Sequence, residues 1–454
     1  MKIAVIGSGI AGLGSAWLLN GAYDVTVYEK GGTVGGHSNT VDAPTGLDGE
    51  TTPVDTGFIV YNERTYPNLI GLFDTLGVTR IKTDMSFGVS VDQGRLEYGG
   101  SDLKSLFAQK RNLISPRFIR MVRDILRFYK VAPGLLSSGA ADGMTLADLL
   151  ARDGYSRAFI DDHLLPMAAA IWSCPVSKMG QFPAASFIRF FDNHGLLQVE
   201  NRPQWWTVQG GSRNYVNRIR ADLGRDVLVK QGVKAVTRGD DQVTLHLEDG
   251  GQADYDRVVF ACHGDQAHHL LADKTDKESD ILSRFTYQTN RAVLHKDVAQ
   301  MPRRRKVWSS WNYLTQRGTD LDTRQVSVTY WMNQLQSLDP DFPLFVTLNP
   351  IHDIDPGMIH QEFDYDHPVF DHGALEAQAR LPEIQGHGGV WFCGSYCGYG
   401  FHEDGLGSAV AVARAFGVAA PWGHYPVHAM QAVGPISDAA VGVPKGRAEK
   451  EVAA

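Results

Sequence analysis

Cysteine is scarce in this sequence. Only four cysteines occur among 454 residues, and no two of them are spaced as Cys-x-x-Cys. So few cysteines in so long a chain exclude a disulfide framework, and the missing Cys-x-x-Cys pairs exclude the usual zinc-binding patterns. We therefore expect a reducing compartment, the cytoplasm, and no metal site.

Long apolar runs and a basic excess are also missing. No apolar run reaches the ~18 residues that a membrane-spanning helix needs. Asp and Glu (51) outnumber Lys and Arg (43), so the formal net charge is −8. Nucleic acid is not an expected partner, because chains that bind it normally carry a basic domain. The composition is that of an ordinary globular protein, long enough for two or three domains.

What the sequence does contain begins with a glycine-rich motif. Residues 2–6 form an apolar run suited to a buried parallel strand, and three glycines follow with Gly-x-Gly-x-x-Gly spacing. An apolar helix and a second strand, “DVTVYE”, come next, and that strand ends in an acid. This order predicts a dinucleotide site, because the helix N-terminus binds phosphates and the acid binds a ribose hydroxyl. The expected cofactor contacts are Gly7, Ser8, Gly9, Ile10, Ala11, Gly12, Glu29 and Lys30.

Two further segments indicate which dinucleotide binds. “KGGTVGGHSNTV” places a second glycine pair directly after the acid, and “PVDTGFIVYNE” follows with an Asp-x-Gly turn. Both resemble the FAD-binding start of the flavin amine oxidase and phytoene desaturase superfamily. Where that superfamily usually has an arginine near the pyrophosphate, this sequence has a histidine. The resemblance implies FAD, with contacts from Gly35, Gly36, His37, Ser38, Gly57, Phe58 and Ile59.

A segment near the C-terminus extends the resemblance. “GVWFCGSYCGYGFHEDGLGSAVAVARAFG” reads as a short strand at 390–393, a glycine turn and an Ala/Val-rich helix. It resembles the superfamily's C-terminal FAD segment, whose helix N-terminus, here near Gly405, points at the flavin. Cys397 is expected to be a free buried thiol. The resemblance implies cofactor contacts from Gly394, Ser395, Gly405 and Leu406, and from Val233 beside the adenine.

The segments between these motifs alternate between helical and strand patterns. With the resemblance, they predict an α/β fold in which a Rossmann-type FAD-binding domain is interleaved with a mixed α+β substrate domain, as in amine oxidase-like two-domain flavoproteins. The FAD-binding domain is expected at residues 1–76, 196–284 and 386–420, and the substrate or cap domain at 77–195 and 285–385. The tail, 426–454, is expected to be poorly ordered.

The middle of the chain suggests an activity. “MAAAIWSCP”, “MPRRRKVWSSWNYL” and “YWMNQLQSLDPDFPLFVTLNP” resemble a narrower bacterial group of FAD-binding oxidoreductases that includes the desaturase of furan fatty acid synthesis. That resemblance implies removal of a hydride and a proton from a lipid acyl chain, a methyl-branched fatty acyl chain of a phospholipid, to form a carbon–carbon double bond. Two alternatives stay open: a flavin amine oxidase acting on a small amine or polyamine, and a non-catalytic FAD-binding module. The electron acceptor and the oligomeric state also stay open.

The candidate proton acceptors lie in “FHEDG”, inside the C-terminal segment that the resemblance places beside the flavin. His402 can accept a proton near neutral pH, and Glu403 could orient it or replace it. Asp404 is expected to cap the following helix.

The amine oxidase alternative requires other residues near the flavin. Amine oxidases usually place a lysine near the flavin, and the roughly corresponding residue here is Arg291. They also flank the amine with two aromatic rings, for which Tyr399 and Phe401 are candidates. The candidate catalytic residues are therefore Tyr399, His402 and Glu403.

A basic amphipathic helix is expected in “SPRFIRMVRDILRFYK”, residues 115–130. At about 100° per residue its five cations fall within an arc of about 140°, with the apolar side chains opposite. Cations next to an anionic leaflet each contribute about 1 kcal/mol of attraction. We therefore expect transient contact of residues 116–130 with an anionic membrane surface. The five cations are Arg117, Arg120, Arg123, Arg127 and Lys130.

Overall fold

The computed structural model describes residues 1–46, 49–172, 176–198, 202–224, 227–316 and 326–423. The predicted tail at 426–454 lies outside the described residues. The strands are β1 (Lys2–Ile6), β2 (Asp24–Glu29), β3 (Thr40–Pro44), β4 (Thr51–Asp55), β5 (Tyr61–Asn62), β6 (Arg80–Thr83), β7 (Phe87–Val91), β8 (Leu96–Gly99), β9 (Trp205–Val208), β10 (Leu228–Val229), β11 (Val233–Arg238), β12 (Val243–Leu247), β13 (Gln252–Tyr255), β14 (Arg257–Phe260), β15 (Thr286–His295), β16 (Trp311–Thr315), β17 (Val326–Trp331), β18 (Phe345–Leu348), β19 (Ile359–Val369) and β20 (Val390–Phe392).

Helices connect and cover these strands. They are α1 (Ile10–Leu19), α2 (Pro67–Leu76), α3 (Leu103–Leu106), α4 (Pro116–Ser137), α5 (Leu146–Arg152), α6 (Arg157–Phe159), α7 (Leu165–Trp172), α8 (Val176–Met179), α9 (Ala184–Asn193), α10 (Arg213–Leu223), α11 (Gly264–Leu270), α12 (Asp276–Leu282), α13 (Met332–Leu335), α14 (His372–Arg380) and α15 (His402–Ala415). One π-helical turn, Ile160–Leu164, joins α6 to α7.

A five-stranded parallel sheet organises the first part of the molecule. Its strand order is β10-β2-β1-β14-β20, and β1 pairs with β2 and β14 on either side. The apolar run of β1 is buried because the strand is central and helices cover the sheet. Helices α1 and α15 pack against each other so closely that a Cβ at Gly14 would lie 2.7 Å from Leu406 Cδ1. We call this sheet with its helices the parallel-sheet half.

A seven-stranded mixed sheet organises the second part, which we call the cap half. Its strand order is β19-β15-β18-β17-β16-β7-β8, and helices α3 to α9 lie in the same half. A separate hydrophobic core forms here, with Phe118, Phe128 and Phe159 among its buried members. The chain therefore crosses between two cores several times, and the fold is the mixed α/β arrangement that the sequence predicts. The domain boundaries themselves stay a prediction, and Ala374 and Ala377 of α14 are buried in the core of the parallel-sheet half.

No helix within the described ranges is both long enough and apolar enough to cross a membrane.

Candidate functional site

One cavity of about 1310 Å³ runs between the two halves. Its first section lies along the parallel sheet, where Glu29 and Val233 line it together with the glycine loop after β1. Its middle section passes His37, Gly57 and Gly394. Beyond them the cavity widens into the cap half, in a section that we call the chamber. The chamber is lined by residues between 85 and 205 and by Trp311, Tyr330 and Phe370.

The glycines of the loop have different structural roles. Gly7 has φ +105°, a conformation that favours glycine, and a Cβ at Gly12 would lie 1.9 Å from the Gly7 carbonyl oxygen. These two glycines therefore permit the turn and the close helix–strand packing. Gly9 lines the cavity, and a Cβ there would meet no atom within 4 Å in the described part of the chain apart from its neighbours along the chain. Gly36 lies directly on Gly9, since its Cβ would be 3.1 Å from Gly9 Cα. Gly12 and Gly35 do not line the cavity, so their contribution is to the backbone.

Helix α1 begins beside this opening. Its N-cap, Gly9, has no side chain to cap the first turn, so the free N–H groups face the cavity with the positive end of the helix dipole. Glu29 lies at the same loop and accepts hydrogen bonds from the backbone N–H groups of Ser8 (3.1 Å) and Gly31 (2.6 Å). Ser8, Ile10, Ala11 and Lys30 also line the cavity.

His37 lies in the middle section. A Cβ at Gly57 would be 2.3 Å from the His37 carbonyl oxygen, and that oxygen accepts a hydrogen bond from Phe58 N at 2.7 Å. Burial lowers the pKa of His37 well below its usual range, and the neighbouring His367 adds to the effect. His37 therefore does not supply the positive charge of the arginine that it replaces. Its Nε2 is buried without a hydrogen-bond partner among the described residues.

His402 is fixed by three distant parts of the chain. Its ring stacks on Phe58 at 3.8 Å, and its Nε2 lies 2.9 Å from Ser38 Oγ and 3.2 Å from Tyr215 Oη. Ser38 and Tyr215 are also hydrogen-bonded to each other. Burial lowers the pKa of His402 to about 3, so the imidazole is neutral at pH 7. It lines the cavity, but its Nε2 is engaged and it is a weaker base than the sequence suggests.

Glu403 points away from the cavity. Its carboxylate accepts hydrogen bonds from Asn68 N (2.9 Å), Asn68 Nδ2 (2.7 Å) and Leu69 N (2.9 Å), and so caps the first turn of α2. Asp404 caps its own helix, as expected, by accepting a hydrogen bond from Phe401 N at 2.9 Å. These contacts make Glu403 a structural acid and correct the idea that it orients His402.

The C-terminal segment lines the cavity with the residues before its helix, and not with the residues around Gly405 as predicted. Gly394, Ser395 and Tyr399 line it, but α15 begins at His402, so the predicted helix start near Gly405 is wrong by three residues. Gly405 and Leu406 therefore lie inside the helix and do not line the cavity. Gly405 packs against α1, where its Cβ would be 2.9 Å from Ile10 Cγ2. Cys397 is buried and free, and it does not line the cavity either.

Two further expectations concern charged groups. Arg291 is exposed on β15 and pairs with Glu362 of β19 at 2.8 Å, so it is not a flavin-side counterpart of the amine oxidase lysine. In the described part of the chain, no group of three or more His, Cys, Asp or Glu side chains is arranged to hold a metal ion.

Sequence reasoning missed His194, the residue that follows α9. Its Nδ1 lies 2.9 Å from the Phe190 carbonyl oxygen, and because a carbonyl can only accept, Nδ1 carries the proton and Nε2 carries the lone pair. The ring lines the chamber, stacks on Phe190 at 3.9 Å and lies 5.5 Å from Phe401. Nε2 has no protein partner within the described ranges. No local motif marks His194, because its place in the site depends on contacts with residues that are distant in the sequence, such as Phe401.

These features define a dinucleotide-binding oxidoreductase, and the residues fit FAD. The glycine loop leaves space at Gly9, α1 offers uncapped N–H groups, Glu29 lines the cavity at the same loop, and His37 Nε2 has no hydrogen-bond partner among the described residues. The chain belongs to the flavin containing amine oxidoreductase family, whose model matches residues 10–341. Its cofactor is FAD, and the family assignment confirms the class that the N- and C-terminal motifs predict.

Solved structures show the same fold at low sequence identity. A CLA-producing fatty acid isomerase from P. acnes is 16% identical, with 90% of this chain and 96% of that chain covered and a TM-score of 0.62. Cyclohexylamine oxidase from Brevibacterium oxydans IH-35A is 15% identical, with 91% and 98% covered and a TM-score of 0.64. A putrescine oxidase bound to putrescine is 14% identical, with the same coverage and TM-score. Among curated proteins, none matches the chain.

Buried histidines make acid-sensitive stability an expected property. Burial lowers the pKa of nine histidines, and six of them have the largest shifts, in five cases to about 4 or about 3: His37, His163, His194, His295, His367 and His402. Burial has the opposite sign for carboxyls and raises the pKa of Asp55 to about 6 and those of Glu403 and Asp404 to about 7.

We expect the free energy of unfolding of the FAD-loaded protein to fall from pH 7 to pH 5.5. In that window the unfolded chain protonates the six histidines, near pKa 6.5, and the native chain does not. The native chain instead holds the protons of the three carboxyls, so the unfolded chain binds a net excess of about three protons at pH 5.5. The loss is on the order of 3 kcal/mol. Denaturant titrations at the two pH values measure it, and equal or greater stability at pH 5.5 would contradict the sign.

Proposed function

We propose that the protein is an FAD-dependent desaturase that forms a carbon–carbon double bond in a lipid acyl chain, a methyl-branched fatty acyl chain of a phospholipid. The observation that carries this proposal is the chamber. It extends the cofactor section of the cavity into the cap half, where a long apolar chain can lie. A fold shared by a fatty acid isomerase and by amine oxidases does not decide between substrates, so the lining must.

The lining of the chamber suits hydrocarbon. Apolar and aromatic side chains dominate it, and burying a chain against them contributes about 0.8 kcal/mol per methylene. Asp102, the one carboxylate among the described residues that line the chamber, is exposed at its edge and caps α3 by accepting a hydrogen bond from Ser105 N at 2.6 Å. Among the described residues, an amine cation would find no buried counter-ion in the chamber. Members of the lining are Leu106, Val122, Ile125, Tyr129, Met167, Ile171, Trp172, Phe190, Leu196 and Tyr330.

FAD, when bound, supplies the hydride acceptor. The chain's own residues have to hold one C–H bond towards that acceptor, exclude water and accept a proton from the adjacent carbon. Tyr399 and Phe401 form the wall between the middle section and the chamber, and Phe190 packs on both rings, at 5.9 Å and 5.1 Å.

For the proton we propose His194. As one C–H bond gives up a hydride, the neighbouring C–H bond gives its proton to Nε2 and its electron pair forms the double bond. Because hydride loss leaves an electron-poor carbon, the adjacent proton is acidic and a weak neutral base is sufficient. The hydride and the proton account for the two hydrogens removed, and the FAD acceptor would supply the two-electron oxidation that the new double bond requires.

An amine oxidase remains the second candidate. One observation favours it, since Tyr399 and Phe401 both line the cavity in the place where an aromatic pair could flank an amine. The position of Arg291 speaks against it. A non-catalytic FAD-binding module would need neither the chamber nor the aromatic wall.

Anaerobic flavin reduction separates the three possibilities. We expect detergent-dispersed phospholipids with methyl-branched acyl chains to bleach the bound flavin, and putrescine or cyclohexylamine to leave it oxidised. The product lipid should gain one double bond, which mass spectrometry detects as a loss of two hydrogens. Bleaching by an amine alone would replace the proposal with the amine oxidase, and a flavin that no substrate reduces would support the non-catalytic module.

A further inference from the structure

The expected basic helix exists as α4, a 22-residue helix that begins after the N-cap Ser115, whose Oγ accepts a hydrogen bond from Phe118 N. Its charges do not all face solvent freely. Arg117 pairs with the buried Asp162 at 2.7 Å, and Arg127 lies over the Tyr155 ring at 3.9 Å. Arg120, Arg123 and Lys130 are exposed and have no acidic partner in the part of the chain that the structure describes.

The apolar side chains of α4 also divide into groups. Phe118, Met121 and Phe128 are in the core of the cap half. Others line the chamber, among them Val122 and Ile125. A third group, which includes Ile119 and Leu126, is exposed to solvent. The helical period alone would place these residues with the buried side chains.

Exposed apolar side chains are concentrated around this helix. Of eleven large hydrophobic residues that are exposed within the described ranges, six lie between residues 103 and 131. Burying apolar side chains is favourable, so a concentration of exposed ones in one part of the chain indicates a contact surface. They are Leu103 (73% exposed), Leu113 (55%), Ile114 (82%), Ile119 (52%), Leu126 (52%) and Val131 (40%).

The chamber opens at this surface. Leu103 and Leu126 are both exposed to solvent and part of the cavity lining, so they lie at the mouth of the chamber. Cations flank the apolar side chains: Lys110 and Arg111 precede the pair Leu113–Ile114 on one short turn, and the exposed Arg120, Arg123 and Lys130 of α4 follow. An apolar patch with a cationic border is complementary to a bilayer with an anionic surface.

We propose that residues 103–131 dock on an anionic lipid bilayer and hold the mouth of the chamber against it. Leu113 and Ile114 enter the acyl boundary, and Lys110, Arg111, Arg120, Arg123 and Lys130 contact lipid phosphates. This inference rests on the proposed function for its purpose, because an acyl chain can then pass from the bilayer into the chamber without crossing water. It does not rest on that function for its test.

Vesicle co-sedimentation of the FAD-loaded protein tests the surface. The vesicles contain phosphatidylcholine alone or mixed equally with phosphatidylglycerol. We expect binding to the anionic vesicles at low salt and release at high salt. Changing Arg120, Arg123 and Lys130 to Glu should weaken binding at least ~10²-fold, since three cations at about 1 kcal/mol each correspond to that factor. Changing Leu113 and Ile114 to Ser should weaken it ~10-fold, because the apolar contacts are lost.

A matched variant controls for net charge. Lys2, Lys277 and Arg414 are exposed cations of the parallel-sheet half, and changing them to Glu gives the same net charge. We expect this variant to bind vesicles as the wild type does. The proposal is overturned if wild-type protein ignores anionic vesicles at low salt, or if both triple variants lose binding equally.

Activity distinguishes this proposal from the proposed function. The Arg120/Arg123/Lys130 variant should reduce its flavin normally with detergent-dispersed lipid and slowly with vesicles. Vesicle binding without flavin reduction by any lipid would support the docking surface and reject the desaturase. Reduction by dispersed lipid without vesicle binding would support the desaturase and reject the docking surface.

Discussion

The Gly9→Val variant should fold and fail to retain FAD. Gly9 is the N-cap of α1 with φ −68° and ψ −176°, a conformation that valine adopts readily, and among the described residues no atom beyond its neighbours in the chain lies within 4 Å of its Cβ position. The added side chain would instead occupy the cavity in front of the helix N-terminus, where the pyrophosphate binds. We expect FAD affinity to fall at least ~10²-fold, about 2.8 kcal/mol. Flavin fluorescence after gel filtration, with far-UV circular dichroism to check folding, measures both effects.

Two other glycines supply the controls. Gly21 lies in an exposed turn with nothing within 4 Å of its Cβ position, and it does not line the cavity, so Gly21→Val should keep FAD. Gly12→Ala should lose the fold as well as the cofactor, because its methyl group would lie 1.9 Å from the Gly7 carbonyl oxygen. A Gly9→Val protein that stays yellow would show that FAD does not approach this part of the loop.

The glycine loop was predictable because its structure is local. Gly7, Gly9 and Gly12 take their roles from neighbours within a few residues and from the strand that precedes them. Glu403 shows the opposite case. Its carboxylate caps a helix whose first residues lie 335 positions earlier in the chain, so nothing around “FHEDG” distinguishes a structural acid from a catalytic one.

The basic helix was predictable only in part. The helical period correctly separates charged from apolar positions on α4, but it does not sort them by partner. Arg117 is held by Asp162, which lies 45 residues away, while Arg120 has no such partner among the described residues. Among the apolar residues, Ile125 faces the chamber and Ile119 faces solvent, because the chamber is built from several helices and a sheet that the local sequence does not contain.

The identity of the proton acceptor depends on the same kind of tertiary information. His402 follows from sequence because it lies within a motif, whereas His194 follows only from the structure. Both are neutral at pH 7, since burial lowers their pKa values to about 3 and about 4. They differ in whether Nε2 of the ring has a hydrogen-bond partner. Nε2 of His402 is hydrogen-bonded to Ser38 and Tyr215, and Nε2 of His194 has no partner in the described part of the chain.

His194→Asn should slow anaerobic flavin reduction by acyl lipid by ~10²–10³-fold and leave FAD bound. Asparagine can still donate its amide N–H to the Phe190 carbonyl, so the end of α9 stays in place while the basic nitrogen is lost. The matched variant is His402→Gln, whose amide oxygen can accept from Ser38 or Tyr215 and which should reduce its flavin within a few-fold of wild type. In wild type the rate should be flat above pH 5.5 and fall as the pH drops through about 4, because His194 must be unprotonated to accept the proton. That acid limb should disappear in His194→Asn. If instead His402→Gln is the slow variant and His194→Asn is not, the proton goes to the histidine of the sequence motif, and the polar pair that holds it positions the base.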